Sequence, residues 1–202
     1  MTDRKRDFVE QAAPEYWFSY AHELAETADS IFNRSKKQFV AYLYQSADGT
    51  QRTEKRPLVS RPVLLLYGIA LENMLKAILI SEDTSRLEGG KLSKELLGHD
   101  LMALSKRCRT VELTESDRDI LSLLSNVVPY HGRYPVPRNS EDMKPEEFIN
   151  EDIFAKCADL FEHLSIELYR LNHMGIEAPE GVHFPRLHLT HLDDKIDFET
   201  NW

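Results

Sequence analysis

The first long run of regularly spaced apolar residues begins at Pro14. Trp17, Ala21 and Leu24 follow at steps of three or four residues, the spacing of one face of an α-helix. The spacing resumes through Leu43 and stops at the turn signal formed by residues 48–49. The pattern predicts one long N-terminal helix, kinked near residues 33–35, followed by a polar, basic connector over residues 51–62.

Four further helices are predicted downstream. One begins near Pro62, runs to about residue 81 and is apolar on nearly all sides, so we expect it to be the central helix. Others are predicted after Asp100, from Thr114, where Asp117 gives the spacing of a capping box, and over residues 150–174. The predicted fold class is all-α, a helical bundle of about five helices with a long N-terminal helix.

The remaining residues form an extended C-terminal tail. The stretch FPRLHLTHL alternates between apolar and polar residues, which predicts a short strand or an extended strap. We therefore expect a helical domain over residues 1–174, with its core at 61–174, and a tail over 175–202 that packs on the bundle or on a partner subunit. His188 and His191 would point to opposite faces of such a strand, so no metal site is predicted in the tail.

Composition narrows the function classes. The formal net charge is −9, so binding to nucleic acid would need a local basic patch. Cys108 and Cys157 lie in apolar helical patterns and are predicted to be buried, reduced thiols. The start of the sequence lacks an apolar stretch of signal-peptide length, and charges interrupt the most apolar helix, so we expect a cytoplasmic protein without membrane association. No cofactor motif is present, and none is expected to be bound.

Polar residues on the predicted central helix raise the question of a site. Glu72 and Lys76 are one helical turn apart, which predicts an ion pair at the edge of the buried face. Asn73 has apolar neighbours on its own face, so its amide is predicted to bond to a neighbouring loop or helix. His99 or Asp100 is predicted to cap the helix that follows.

The segment LLSNVVPYHGRYPVPRN, residues 123–139, is unlike the rest of the chain. Its prolines and glycine fit a structural loop, in which Tyr130 and Tyr134 pack on the helices. Its other side chains also fit metal-free RNA cleavage. His131 is a residue type that can transfer protons near neutral pH, and Arg133 is one that can hold a phosphate.

Three motifs in this order resemble the HEPN superfamily of small helical proteins. They are LENMLKAILI in the central helix, GHDLMAL at residues 98–104 and SNVVPYHG at residues 125–132. The resemblance covers about residues 61–173. It implies a helical bundle that often works as a dimer, and either a metal-independent RNase or a binding module without catalytic activity.

The resemblance also assigns roles to single positions. Active members carry an arginine, often followed by a polar residue, and then a histidine four to six residues later that is commonly followed by glycine. Asn126, His131 and Gly132 match the last three positions, but Ser125 stands at the arginine position. Serine has no charge with which to hold a phosphate, which implies a protein without the ordinary RNase activity.

We therefore carry three hypotheses from the sequence. The leading one is a HEPN-like homodimer that binds RNA or a partner protein through a groove beside residues 126–138. The second is a metal-independent endoribonuclease, and the third is a purely structural dimerisation module. The candidate catalytic residues are His131, Arg133, Asn126 and Glu72, and the candidate binding residues are Arg138, Tyr130 and Tyr134.

Overall fold

The computed structural model describes residues 3–131, 139–142 and 148–187, and the fold it shows is predominantly helical with two small antiparallel hairpins. The elements, in chain order, are α1 (Arg4–Gln11), α2 (Pro14–Ser35), β1 (Phe39–Gln45), β2 (Gln51–Pro57), α3 (Ser60–Glu82), α4 (Leu101–Ser105), α5 (Glu115–Asn126), α6 (Glu151–Asn172), β3 (Ile176–Ala178) and β4 (Val182–Phe184). The predicted helical character is therefore confirmed, but the chain is not all-α, because it also contains the four strands of the two hairpins.

Helix α3 is the centre of the core, as predicted. Every residue from Ala70 to Ser81 is buried, and α2, α4, α5 and α6 all pack against this helix. The length and apolar character of α3 would also fit a membrane span, but 83% of its most apolar window is buried inside the protein. Burial of this extent accounts for its hydrophobicity as that of a core helix.

The predicted long N-terminal helix is wrong beyond Ser35. Helix α2 ends there, and the next apolar residues form β1, which pairs with β2 in antiparallel register from Phe39 opposite Pro57 to Gln45 opposite Gln51. The predicted connector is thus the second strand of a hairpin. Gly49 takes a φ of +85° in the turn, a conformation open to glycine at little steric cost.

Several predicted helix boundaries are confirmed. The Asp100 side chain accepts a hydrogen bond from the backbone N–H of Ala103, and Thr114 and Asp117 form a reciprocal capping box. Helix α4 ends at Ser105, whereas the apolar pattern of LMALSKRC predicts a helix that continues to Cys108. Both cysteines are buried and free, and burial raises the pKa of each thiol to about 12, so both stay protonated at neutral pH.

The first part of the tail packs on the chain's own helices. Strands β3 and β4 pair from Ile176 opposite Phe184 to Ala178 opposite Val182. Val182, Phe184 and Leu187 are buried, and the Leu187 N–H donates to the carbonyl of Asn172 at the end of α6. The tail residues His188 and His191 lie outside the described residues.

The segment after α5 lies unusually close to α3. Residues Val127–His131 form a single π-helical turn, a geometry that is frequent at functional sites. Its Val128 is buried against Gly68, where an added Cβ atom would stand 2.4 Å from the Val128 Cγ2 atom. Gly68 therefore allows the chain just before the histidine of the sequence motif to rest directly on the central helix.

We expect Gly68→Ala to lower the free energy of unfolding by up to about 2 kcal/mol. The new methyl group overpacks the contact with Val128, which costs about 1–3 kcal/mol, and the helix propensity of alanine offsets about 1 kcal/mol of this cost. Urea denaturation measures it. Gly98→Ala is the control, since an added Cβ atom there meets nothing within 4 Å. Equal stability of the two variants would contradict the close approach.

Candidate functional site

The structure locates part of the predicted site. Asn126 is exposed at the end of α5, and its side-chain amide donates to the carbonyl of Ser122 over 2.9 Å. The backbone of His131 closes the π-helical turn. The side chains of Tyr130 and His131 lie outside the described part of the structure. The same is true of Arg133, Tyr134 and Arg138.

Glu72 is at the centre of a charged network on α3. Its carboxylate accepts from the ammonium of Lys76 at 2.7 Å, and both side chains are only 8% exposed. The predicted ion pair is therefore confirmed, but it is buried rather than at the edge of the apolar face. The Lys76 Nζ atom also lies 6.0 Å from the centre of the Trp17 ring, near enough for a cation–π contact.

His99 completes this network. Its Nδ1 atom lies 3.0 Å from the Glu72 carboxylate, whereas its side chain is 59% exposed. A neutral imidazole that donates from Nδ1 keeps Nε2 as an acceptor, so the arrangement is of a kind that can move a proton. The sequence favours a capping role for His99 or Asp100 over a catalytic one, and it does not predict the contact of His99 with Glu72. Spacing along the chain gives no signal that its ring meets a carboxylate 27 positions away.

The side chain of Ser125 forms hydrogen bonds that join α5 to α4. Its hydroxyl oxygen accepts from the N–H of Met102 at 3.2 Å, and its O–H donates to the Asp100 carboxylate at 3.4 Å. The same carboxylate caps α4 through Ala103. The position at which the family resemblance expects a phosphate-binding arginine therefore ties α5 to the start of α4.

The partner of the Asn73 amide differs from the predicted one. The amide donates to the carbonyl of Ile69, one turn earlier in the same helix, over 2.8 Å. The predicted bond to a neighbouring loop or helix is therefore wrong.

An open pocket of about 320 Å³ lies between α2 and α3. Asn73 borders it together with Tyr16, Trp17 and Tyr20 from α2.

The hairpin β1–β2 carries the most distinctive surface of the described residues. The guanidinium of Arg52 lies 5.0 Å from the Tyr44 ring centre, and that of Arg56 lies 5.1 Å from the Tyr42 ring centre. We call these four residues the Arg–Tyr face. Tyr42 and Tyr44 are 42% and 39% exposed, and the Arg52 side chain is 73% exposed. Arginine held against an aromatic ring presents charge and a flat surface together.

Local charge in the hairpin is opposite to that of the whole chain. Residues 36–57 contain five basic and two acidic side chains, although the chain has a net charge of −9. The sequence places Arg52, Lys55 and Arg56 in the predicted connector, where they are candidate phosphate contacts. The tyrosines were missed, because β1 was predicted to be helical. The β-branched and aromatic residues of FVAYLYQ, followed by an Asp-Gly turn, were the signal that could have identified the hairpin.

A pocket of about 350 Å³ continues this surface at the base of the hairpin. Tyr42, Arg56, Arg61 and Phe148 are among the residues that line it, and the first residues of α3 form another wall. The Arg56 guanidinium lies 5.3 Å from the Phe148 ring centre. The pocket thus places two arginines, one of them paired with Glu54 at 2.8 Å, beside the N-terminal end of a 23-residue helix, where the helix dipole favours anions.

A larger cavity of about 460 Å³, between α2, α3 and α6, has the opposite charge. Its lining includes Glu26, Asp29 and Glu162. Tyr67 donates its hydroxyl hydrogen to Asp29, and burial raises the pKa of Asp29 above its usual value. Three acidic residues oppose the binding of a phosphate, so this cavity is not a site for nucleic acid.

Among the residues that the structure describes, no group of three or more His, Cys, Asp or Glu side chains has the arrangement of a metal site. Comparison with known protein families, curated proteins and solved structures finds no match to this chain. Functional inference therefore rests on its own residues.

We expect Glu72→Gln to lower the free energy of unfolding by about 3–5 kcal/mol, because it leaves the buried Lys76 charge without its partner. The double variant Glu72→Gln, Lys76→Met should lose much less, since both charges are gone. Urea denaturation of the two single variants and the double variant measures the coupling. If the loss of the double variant equals the sum of the losses of the two single variants, the ion pair contributes no coupling energy to the stability of the fold.

Proposed function

We propose that this chain is a HEPN-like helical bundle that binds RNA and lacks the ordinary RNase activity of that superfamily. The observation that carries the proposal is the Arg–Tyr face, in which two arginines lie against two partly exposed tyrosines on an otherwise acidic protein. Glu54 pairs with Arg56 at 2.8 Å and with Arg52 at 3.8 Å, so the two arginines exceed the acidic side chains of this face by one charge. RNA is favoured over a protein partner because each element of this face suits one part of a nucleotide.

The three motifs of the family resemblance contact one another in space, which supports the HEPN part of the proposal. Glu72, in the first motif, bonds to His99 in the second. Asp100, also in the second, bonds to Ser125 in the third. Segments that are distant in sequence thus form one continuous cluster, as expected of motifs that define a common fold.

The chemistry of the Arg–Tyr face supports single-stranded RNA as the ligand. Guanidinium groups attract phosphates, and aromatic rings stack on unpaired bases with little regard to sequence. Stacking contributes about 1–3 kcal/mol per base in proteins that bind single strands. The basic pocket beside Arg61 extends the surface along which a phosphate backbone would run.

The absence of ordinary RNase activity is supported by Ser125. Its hydroxyl serves the junction between α4 and α5, and it has no positive charge to stabilise a pentavalent phosphate. The hydrogen bonds recorded for Glu72 go to Lys76 and His99, so this carboxylate is engaged in the network on α3.

We expect Arg52→Ala to weaken the binding of a fluorescently labelled single-stranded RNA by about tenfold at 0.1 M salt, because a phosphate contact and a stacking partner are lost. The salt dependence of log K should also decrease by about one unit. Fluorescence anisotropy over a range of salt concentrations measures both quantities.

Arg170→Ala is the matched control, since Arg170 is an exposed arginine on α6 that is paired with Glu167. It removes the same charge far along the chain from the hairpin and should leave RNA binding nearly unchanged. Equal losses in the two variants would show that binding follows net charge alone. If the wild type binds no RNA and Arg52→Ala instead abolishes capture of a protein, the ligand is a partner protein.

We expect purified wild-type protein to leave RNA intact in the presence of EDTA, and His131→Ala to behave in the same way. The reason is the missing arginine at position 125. Gel analysis of a labelled RNA, with circular dichroism to verify folding, tests this. Cleavage by the wild type that His131→Ala abolishes would instead make the chain a metal-independent endoribonuclease, with Arg133 the next residue to substitute.

A further inference from the structure

The outer edge of β1 has no strand beside it among the described residues, because its sheet contains only β1 and β2. The two edges of this sheet differ in chemistry. Strand β1 reads FVAYLYQ and has no charged residue, whereas β2 reads QRTEKRP and has four charged residues and a proline. Charges and proline are the usual protection of a strand edge against pairing with another chain. β2 is protected in this way and β1 is not.

The two faces of the hairpin differ as well. Alternation along β1 directs Tyr42 and Tyr44 to the Arg–Tyr face and Phe39, Ala41 and Leu43 to the opposite face. Phe39 and Leu43 are 58% and 66% exposed, among the most exposed large apolar side chains of the described residues. Among the described residues, Phe148 lies over Arg56 on the Arg–Tyr face, whereas Phe39, Ala41 and Leu43 on the opposite face are all exposed. An isolated two-stranded hairpin is marginally stable in water. An additional strand beside β1 would stabilise it.

We propose that this strand is β1 of a second copy of the chain, so that two hairpins form one four-stranded antiparallel sheet. Antiparallel pairing of identical strands about a two-fold axis at Tyr42 sets Phe39 opposite Gln45 of the second copy and Ala41 opposite Leu43 of the second copy. Residues opposite each other share a face. The exposed apolar side chains of both copies therefore gather on one side of the sheet.

Charge favours this pairing over the other edges. Two copies of β1 meet without any charged side chain on either strand. Two copies of β2 would bring Arg52, Lys55 and Arg56 close to the same cations of the second copy, with only Glu54 to offset them. RNA does not suit the β1 edge either, because that strand offers no cation to a phosphate. A second copy is thus the occupant that matches the edge.

The contact has a limited size. Strand β1 has seven residues and a length of about 23 Å, so the surface it buries is smaller than the roughly 800 Å² per partner of a standard interface. We therefore expect a reversible dimer with a dissociation constant on the order of micromolar. In such a dimer the two Arg–Tyr faces lie side by side on the same surface of the sheet. This consequence rests on the proposed RNA binding, whereas the dimer itself does not.

A cysteine cross-link tests the register directly. In the proposed dimer, residue 42 faces its own counterpart across the axis, with Cα atoms about 4.5–5.5 Å apart, within the range of a disulfide. Tyr42→Cys protein treated with a mild oxidant should therefore migrate as a covalent dimer on a non-reducing gel. Thr53→Cys is the control, because the two copies of position 53 are separated by three strand spacings, about 14 Å. The native cysteines are buried and do not interfere.

Sedimentation equilibrium without RNA tests the contact energetically. Leu43→Lys should weaken dimerisation on the order of 100-fold, since it removes the apolar contacts of two leucines across the strand pair and brings two like charges together. Thr53→Lys places the same charge on the cross-strand partner of Leu43 and should leave the dimer intact. Circular dichroism verifies folding, and the Tyr42→Cys cross-link keeps the proposal testable if Leu43→Lys does not fold.

Each outcome has a defined meaning. A monomeric wild type at a concentration of about 100 μM, well above the expected dissociation constant, would overturn the proposal. Equal cross-linking of Tyr42→Cys and Thr53→Cys would overturn it as well, as would equal dimerisation of Leu43→Lys and Thr53→Lys. The proposed RNA binding fails separately, since it depends on the difference between Arg52→Ala and Arg170→Ala. A monomer that retains this difference would refute the dimer alone.

Discussion

The buried ion pair of Glu72 and Lys76 is the main electrostatic constraint on the side chains around α3. Gly68, Glu72 and Lys76 follow one another at steps of four, so they form a single column along α3. The π-helical turn rests on the first position, His99 bonds to the second, and the Trp17 ring of α2 lies near the third. Three segments thus contact a single column of α3, and the buried carboxylate within that column is paired with Lys76 and His99.

The hairpin β1–β2 is stabilised by other interactions than the helical body. Its residues are almost all at the surface, and its stability comes from the ladder of backbone hydrogen bonds and from contacts of arginine with tyrosine. The helical body, in contrast, is stabilised by burial of apolar side chains around α3. Because the hairpin contributes little to the core, it can carry exposed aromatic and charged side chains without a loss of core packing.

The sequence predicts best where a local rule acts within one or two helical turns. The cap at Asp100, the capping box at Thr114 and the ion pair between Glu72 and Lys76 all depend on such short spacings. The hairpin was mispredicted because Phe39 and Leu43 are four residues apart, a spacing that puts residues on one side of a helix and of a strand alike. The bond from His99 to Glu72 could not be predicted, since it depends on how the loop after α3 returns to that helix.

The buried pair of Glu72 and Lys76 has a consequence for how this sequence can change over generations. Neither residue can be replaced alone without leaving the other as an uncompensated charge in the core. Two apolar residues of similar volume would be tolerated together, yet each single step towards them passes through a less stable protein. The two positions should therefore either persist together or be replaced together among descendants of this chain. His99, which is open to solvent on one side, is freer to vary.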